Sequence, residues 1–114
     1  MRVLIVDDYI DGAELIALLV KLCGHEPLVA HDGFEALDRA RQTAPDLVLM
    51  DIEIPGMDGY ATAKRLRNEL GMVDTPIFAL TAFQSDPDLE HAAGMQGYYR
   101  KPVNLEQIKQ LLSN

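Results

Sequence analysis

Residues 3–6 (VLIV), 47–50 (LVLM) and 77–80 (IFAL) are short stretches apolar without interruption, and each stops on a polar residue, Asp7, Asp51 or Thr81. None alternates with polar side chains and none is long enough for a helix, so each predicts a strand buried on both faces. Two weaker runs join them. Residues 26–30 are opened by Pro27, which suits an edge strand because proline cannot donate to a ladder, and residues 97–100 lead into Lys101-Pro102.

Between these runs the period changes to that of a helix. Residues 10–23 carry Leu15, Leu18, Leu19 and Leu22 at the i, i+3, i+4, i+7 spacing, predicting a helix with those leucines on one face and a stop at Gly24. Asp32-Gly33 turns the chain into a helix over 34–43, closed by Pro45, and Asp58-Gly59 opens one over 60–70 that ends at Gly71. Asp86 as cap with Pro87 in the first turn predicts a brief helix ended by Gly94. Asn104 with Gln107 three residues on forms a capping box for a last helix, whose buried face is Leu105, Ile108, Leu111 and Leu112.

Strand and helix thus alternate five times, predicting an α/β fold of (βα)5 type, a doubly wound five-stranded parallel sheet with helices on both faces and right-handed crossovers. Such a sheet takes its ligands at the carboxyl ends of the strands. Asp7 and Asp8, Asp51, Thr81 and Lys101 all fall there. Taken singly, a strand-end Asp is a loop residue or helix cap, Thr81 a strand-end hydroxyl and Lys101 a solvated charge; their convergence on one edge is what points to a site.

Composition narrows the function. With 114 residues, 48% of them apolar, the chain suits one domain over residues 1–114. A formal charge of −8 argues against nucleic acid as a direct ligand, since phosphate backbones are held by clusters of Lys and Arg. Cys23 is the single cysteine, so no internal disulfide can form; a reducing compartment and a buried apolar role for the thiol are expected. The apolar runs are too short for a signal peptide's core or a membrane span, which predicts a soluble cytoplasmic protein. His25, His31 and His91 lack metal-ligand spacing and are expected to be surface or turn histidines.

The acids after the first strand, the Asp51–Gly59 segment DIEIPGMDG, Thr81-Ala82 and the Tyr98-x-x-Lys101-Pro102 ending occur in order at matching spacing. Together they resemble the response-regulator receiver domain of two-component signalling, a likeness that covers residues 2–112. The resemblance implies a flavodoxin-like fold with strand order 2-1-3-4-5 and a phosphoacceptor at Asp51. It implies Lys101 and Thr81 as groups that stabilise the phosphoryl oxygens, and a switch from Thr81 to Tyr98. The partners implied are a sensor histidine kinase or histidine phosphotransfer protein upstream and, on the face of helix 4, strand 5 and helix 5, an effector or a second copy. A cis Lys101-Pro102 bond is also implied.

Charge repulsion independently calls for a cation. Three carboxylates in contact repel by about 4 kcal/mol per pair at an effective dielectric near 20. All-oxygen ligation with room for water and phosphate favours Mg²⁺ over Zn²⁺, which prefers Cys and His. The resemblance implies direct ligation by Asp8, Asp51 and the Glu53 backbone carbonyl, with Asp7 acting through water. Glu53 and Phe83 are expected to flank the path of a hydrolytic water.

Two departures stand out. Thr81 and Lys101 lie 20 positions apart, fewer than is usual in such domains, and Val103 replaces a frequent aromatic residue. The rival enzyme reading is a small Mg²⁺-dependent aspartyl-phosphate phosphohydrolase, since Asp51-x-Glu53 is similar to the acidic pair of haloacid-dehalogenase-type enzymes. Those place the pair on the first strand and need a cap for which no residues remain. A phosphorylation-silent interaction domain of the same fold is the third reading, made less favourable by the intact Asp51 and Lys101.

Overall fold

In the computed structural model, which describes residues 1–82 and 84–113, five strands alternate with five helices. They are β1 (Arg2–Val6), α1 (Ile10–Leu22), β2 (Glu26–Ala30), α2 (Gly33–Thr43), β3 (Leu47–Asp51), α3 (Gly59–Glu69), β4 (Ile77–Thr81), α4 (Pro87–Ala92), β5 (Gly97–Arg100) and α5 (Leu105–Leu112). The strands form one parallel sheet in the expected order β2-β1-β3-β4-β5, with Pro27 on an edge strand.

Because side chains alternate across a strand, the uninterrupted apolar runs divide between two cores. Leu4, Val6, Val48, Met50, Ile77 and Ala79 pack with Ala36, Leu37, Ala40, Ala63, Leu66 and Met95 on the side of α2, α3 and α4. Val3, Ile5, Leu47, Leu49 and Leu80 pack with Ala13, Ile16, Val20, Ile108, Leu111 and Leu112 on the side of α1 and α5.

The capping residues act as the sequence predicts. Asp32, Asp58 and Asp86 accept the N–H groups of Glu35, Ala61 and Leu89, and Asn104 and Gln107 make the reciprocal box. The Lys101-Pro102 bond is cis.

The face of α1 that carries the four leucines is not its core face. Leu15, Leu18 and Leu22 are 53%, 54% and 66% exposed, and only Leu19 packs partly on the core. The buried stripe is Ala13, Ile16 and Val20, at i, i+3 and i+7. This helix is apolar around more than half its circumference, and the small and β-branched side chains face the sheet because they permit its close approach. Cys23, expected to be buried, is half-buried at the rim of the same core, and Leu105 of α5 is likewise only half-buried. Among the described residues, no helix is long and apolar enough to cross a membrane.

Candidate functional site

Strand β1 lies between β2 and β3, so the crossovers leave it in opposite directions and a crevice opens beyond the ends of β1 and β3. Asp7 follows β1 and Asp51 closes β3; both are buried, at 1% and 5% exposure, whereas Asp8 faces solvent. One oxygen from each of Asp7, Asp8 and Asp51 lies within 4.8 Å of the others, the spacing of donors around a shared cation. The donor set is oxygen alone.

Lys101 enters from the end of β5. Its Nζ donates to Asp7 Oδ2 at 2.7 Å and to Asp51 Oδ2 at 3.1 Å, and its backbone N–H donates to the Thr81 carbonyl at 2.9 Å. Thr81, 5% exposed, thereby sits on the same edge as the carboxylates. Three carboxylates against one ammonium leave two negative charges, which a single divalent cation balances.

Burial pushes the Asp51 carboxyl up to about 6, Lys101 opposes the shift and Asp7 adds to it. For Lys101, burial pulls the ammonium down, but the Asp7 and Asp51 carboxylates together outweigh it and hold the group above its ordinary value. At neutral pH the site therefore offers an ionised Asp51 beside a fixed cation.

The local backbone holds these groups still. The Glu53 N–H donates to Asp51 Oδ1 at 3.2 Å and the Tyr9 N–H to Asp7 Oδ1 at 3.0 Å, two short turns that orient the carboxylates. Helix α3 begins directly over Asp51. A Cβ on Gly59 would collide with the Asp51 carbonyl oxygen and stand 2.8 Å from Ile52 Cα, so only glycine admits this approach. The Glu53 side chain is exposed. Phe83, expected to flank the water path, lies outside the described residues.

Tyr98 is 47% exposed and pairs with Ala79, while Thr81 pairs with Arg100. A hollow of about 340 Å³, lined by Gln84, Ser85, Tyr98 and Arg100, separates its ring from the segment after β4. A second, apolar groove of about 350 Å³ lies between α1 and the start of α5, lined by Tyr9, Gly12, Leu15, Ile16, Pro102 and Val103, and it reaches Asp7 and Lys101 at the site.

Sequence reasoning missed a contact beside the site. His31, expected only at the surface or in a turn, directs Nδ1 at the Asp7 carbonyl oxygen, 3.1 Å away. Its only signal was its place, next after the last residue of β2 and hence on the same edge of the sheet.

Comparison with known proteins agrees with this architecture. The polar-differentiation response regulator DivK of Brucella anthropi is 35% identical, over 98% of this chain and 96% of its own length. The chemotaxis protein CheY4 of Vibrio cholerae superposes with a TM-score of 0.92 at 32% identity, covering 98% of this chain and 95% of that one. The receiver domain of the sensor histidine kinase PA1611 from Pseudomonas aeruginosa superposes at 0.87 with 29% identity, covering 98% and 93%, and carries a magnesium ion coordinated in its active-site cleft. The family model of the response regulator receiver domain matches residues 3–113. With fold, strand-end acids and sequence likeness in agreement over nearly its whole length, the chain belongs to the response regulator receiver domains of two-component signalling.

Proposed function

We propose that Asp51 accepts a phosphoryl group from the phosphohistidine of a sensor kinase or histidine phosphotransfer protein, in a Mg²⁺-dependent step. The observation that carries this is the buried Asp51 carboxylate held 3.1 Å from the Lys101 ammonium, inside a cluster with two further carboxylates.

Asp51 attacks phosphorus, the bond from phosphorus to the donor's imidazole nitrogen breaks, and the electron pair leaves with the imidazole. Lys101 and the Thr81 hydroxyl each take an oxygen of the transferred group, where fixed donors act on developing charge. Asp8, Asp51 and the Glu53 carbonyl suit a hard cation directly, with Asp7 through water. Mg²⁺, when bound, neutralises charge on the phosphoryl oxygens. The protein works as a switch with self-limited phosphoryl chemistry, in a cytoplasmic setting, rather than as an enzyme of turnover.

The donor is proposed to dock on α1. The apolar groove shares Asp7 and Lys101 with the site, so an apolar helical surface seated in it against Leu15 lies beside the acceptor, with exposed Leu18 the next leucine along α1. Output is proposed to leave by Thr81 and Tyr98. Phosphate gives the Thr81 hydroxyl a charge-assisted acceptor, drawing its loop toward the site, and the hollow beside Tyr98 gives the ring somewhere to turn. The face of α4, β5 and α5 is then altered for an effector protein or a second copy.

Incubation with a small phosphodonor and Mg²⁺ is expected to give one acyl phosphate per chain, stable to acid, labile to base and abolished by chelation. Asp8→Ala is expected to weaken Mg²⁺ binding and labelling together. Lys101→Ala is expected to spare the metal and slow labelling on the order of a hundredfold. Repeated turnover of a small phosphate ester would favour the phosphohydrolase reading instead.

A further inference from the structure

We infer that His31 is a positioning residue of the acceptor site, its imidazole replacing the backbone rung that would otherwise fix Asp7. This inference rests on the phosphoacceptor reading of Asp51.

The parallel pairing of β1 with β2 runs to Val6 opposite Ala30, and the Asp7 N–H still donates to the Ala30 carbonyl at 3.0 Å. In an unbroken parallel ladder the next bond would run from the Asp32 N–H to the Asp7 carbonyl. The chain cannot make it by the usual route, because Asp32 has turned away to cap α2, its carboxylate accepting the Glu35 N–H at 2.7 Å. Asp7 is 1% exposed, so its carbonyl oxygen needs a donor from the protein. His31 Nδ1 supplies it at 3.1 Å. A carbonyl oxygen only accepts, so Nδ1 carries the hydrogen.

This bond bears on both neighbouring carboxylates. Asp7 Oδ1 takes the Tyr9 N–H and Oδ2 takes Lys101, and Asp8 is the next residue. With the His31 bond, the peptide between Asp7 and Asp8 is fixed at its oxygen; without it, that peptide can rotate and carry both carboxylates with it. Acceptor sites tolerate displacements of only about 0.5 Å. His31 thus acts on the metal ligands through the backbone, without touching metal or phosphate.

The test compares the full chain with His31→Leu, which keeps bulk without a donor, and His31→Asn, whose amide nitrogen occupies the position of Nδ1. Mg²⁺ affinity is read by calorimetry and labelling rate with acetyl phosphate. His31→Leu is expected to lose on the order of tenfold in Mg²⁺ affinity, the scale of lost support behind a ligand, and His31→Asn to recover most of it. Imidazole ¹⁵N spectra of the parent are expected to show the neutral ring protonated on Nδ1. A leucine variant equal to the parent, an asparagine variant no better than leucine, or a neutral ring protonated on Nε2 would each overturn the inference. A parent chain that binds no Mg²⁺ and takes no label would instead overturn the acceptor reading beneath it, and the tautomer distinguishes that failure from this one.

Discussion

At the scale of the residue, Asp51 sets a conflict between stability and chemistry. Its carboxyl is raised from 3.8 to about 6 mainly by burial, so between those pH values the folded chain keeps a proton that the unfolded chain has released. Stability from this group is therefore lost as pH rises from about 4 to about 6, and stays lost at higher pH. Asp51→Asn, which keeps shape without charge, is expected to be more stable than the parent at pH 7 without Mg²⁺, with the advantage gone at pH 4. Denaturant melts at the two pH values decide it, and an Asn variant no more stable at pH 7 would contradict a net cost of burying the Asp51 charge. Asp51, Lys101, Thr81 and Asp7 were legible in the sequence because each ends an apolar run or strand, and a sheet brings such ends together. His31 was not, because a side chain that serves one carbonyl leaves no spacing to read.

At the scale of the element, helix starts were legible and helix faces were less so. Aspartates 32, 58 and 86 announce α2, α3 and α4 through local chemistry that needs no tertiary partner. Helix α1 offers two overlapping apolar stripes, and periodicity alone selects the leucines, whereas packing against the sheet selects Ala13, Ile16 and Val20. The rejected leucines are then available to a partner. Leu15→Ser with Leu18→Ser is expected to leave labelling by acetyl phosphate within about twofold, while transfer from a phosphohistidine protein falls on the order of tenfold or more, as expected when two apolar anchors are lost. Equal loss with both donors would mean damage to the site rather than to docking. The short α4 is secured from outside itself. Arg67 of α3 donates to the Gly94 carbonyl at 2.6 Å, to Gln96 Oε1 at 3.2 Å and to the Thr75 carbonyl at 2.6 Å, tying α3 to the turns on either side of β4 and α4. An arginine that serves carbonyls in distant turns carries no motif, which is why this clamp could not be read beforehand.

At the scale of the whole molecule, topology makes the site. The reversal of strand order at β1 opens the crevice, Thr81 ends β4 at its edge, and Tyr98 lies farther back along β5, opposite Ala79. In the proposed reading, phosphate on Asp51 shifts the molecule only through contacts that differ between its two states, and the Thr81 hydroxyl is the group proposed to make one. With beryllofluoride as a phosphate mimic, NMR signals of both Thr81 and Tyr98 are expected to move; movement of Thr81 alone, with Tyr98 in one rotamer, would send the output by another route. All of this depends on which carboxylate takes the phosphoryl group, and three lie within reach. The most direct measurement is to label the chain with acetyl phosphate and Mg²⁺, reduce the acyl phosphate with borohydride, and locate the resulting homoserine by mass spectrometry of tryptic peptides. The predicted result is a single homoserine at position 51, in the peptide spanning residues 42–64. Homoserine at position 7 or 8, in the peptide spanning residues 3–21, or a labelled chain with position 51 unchanged, would contradict the account.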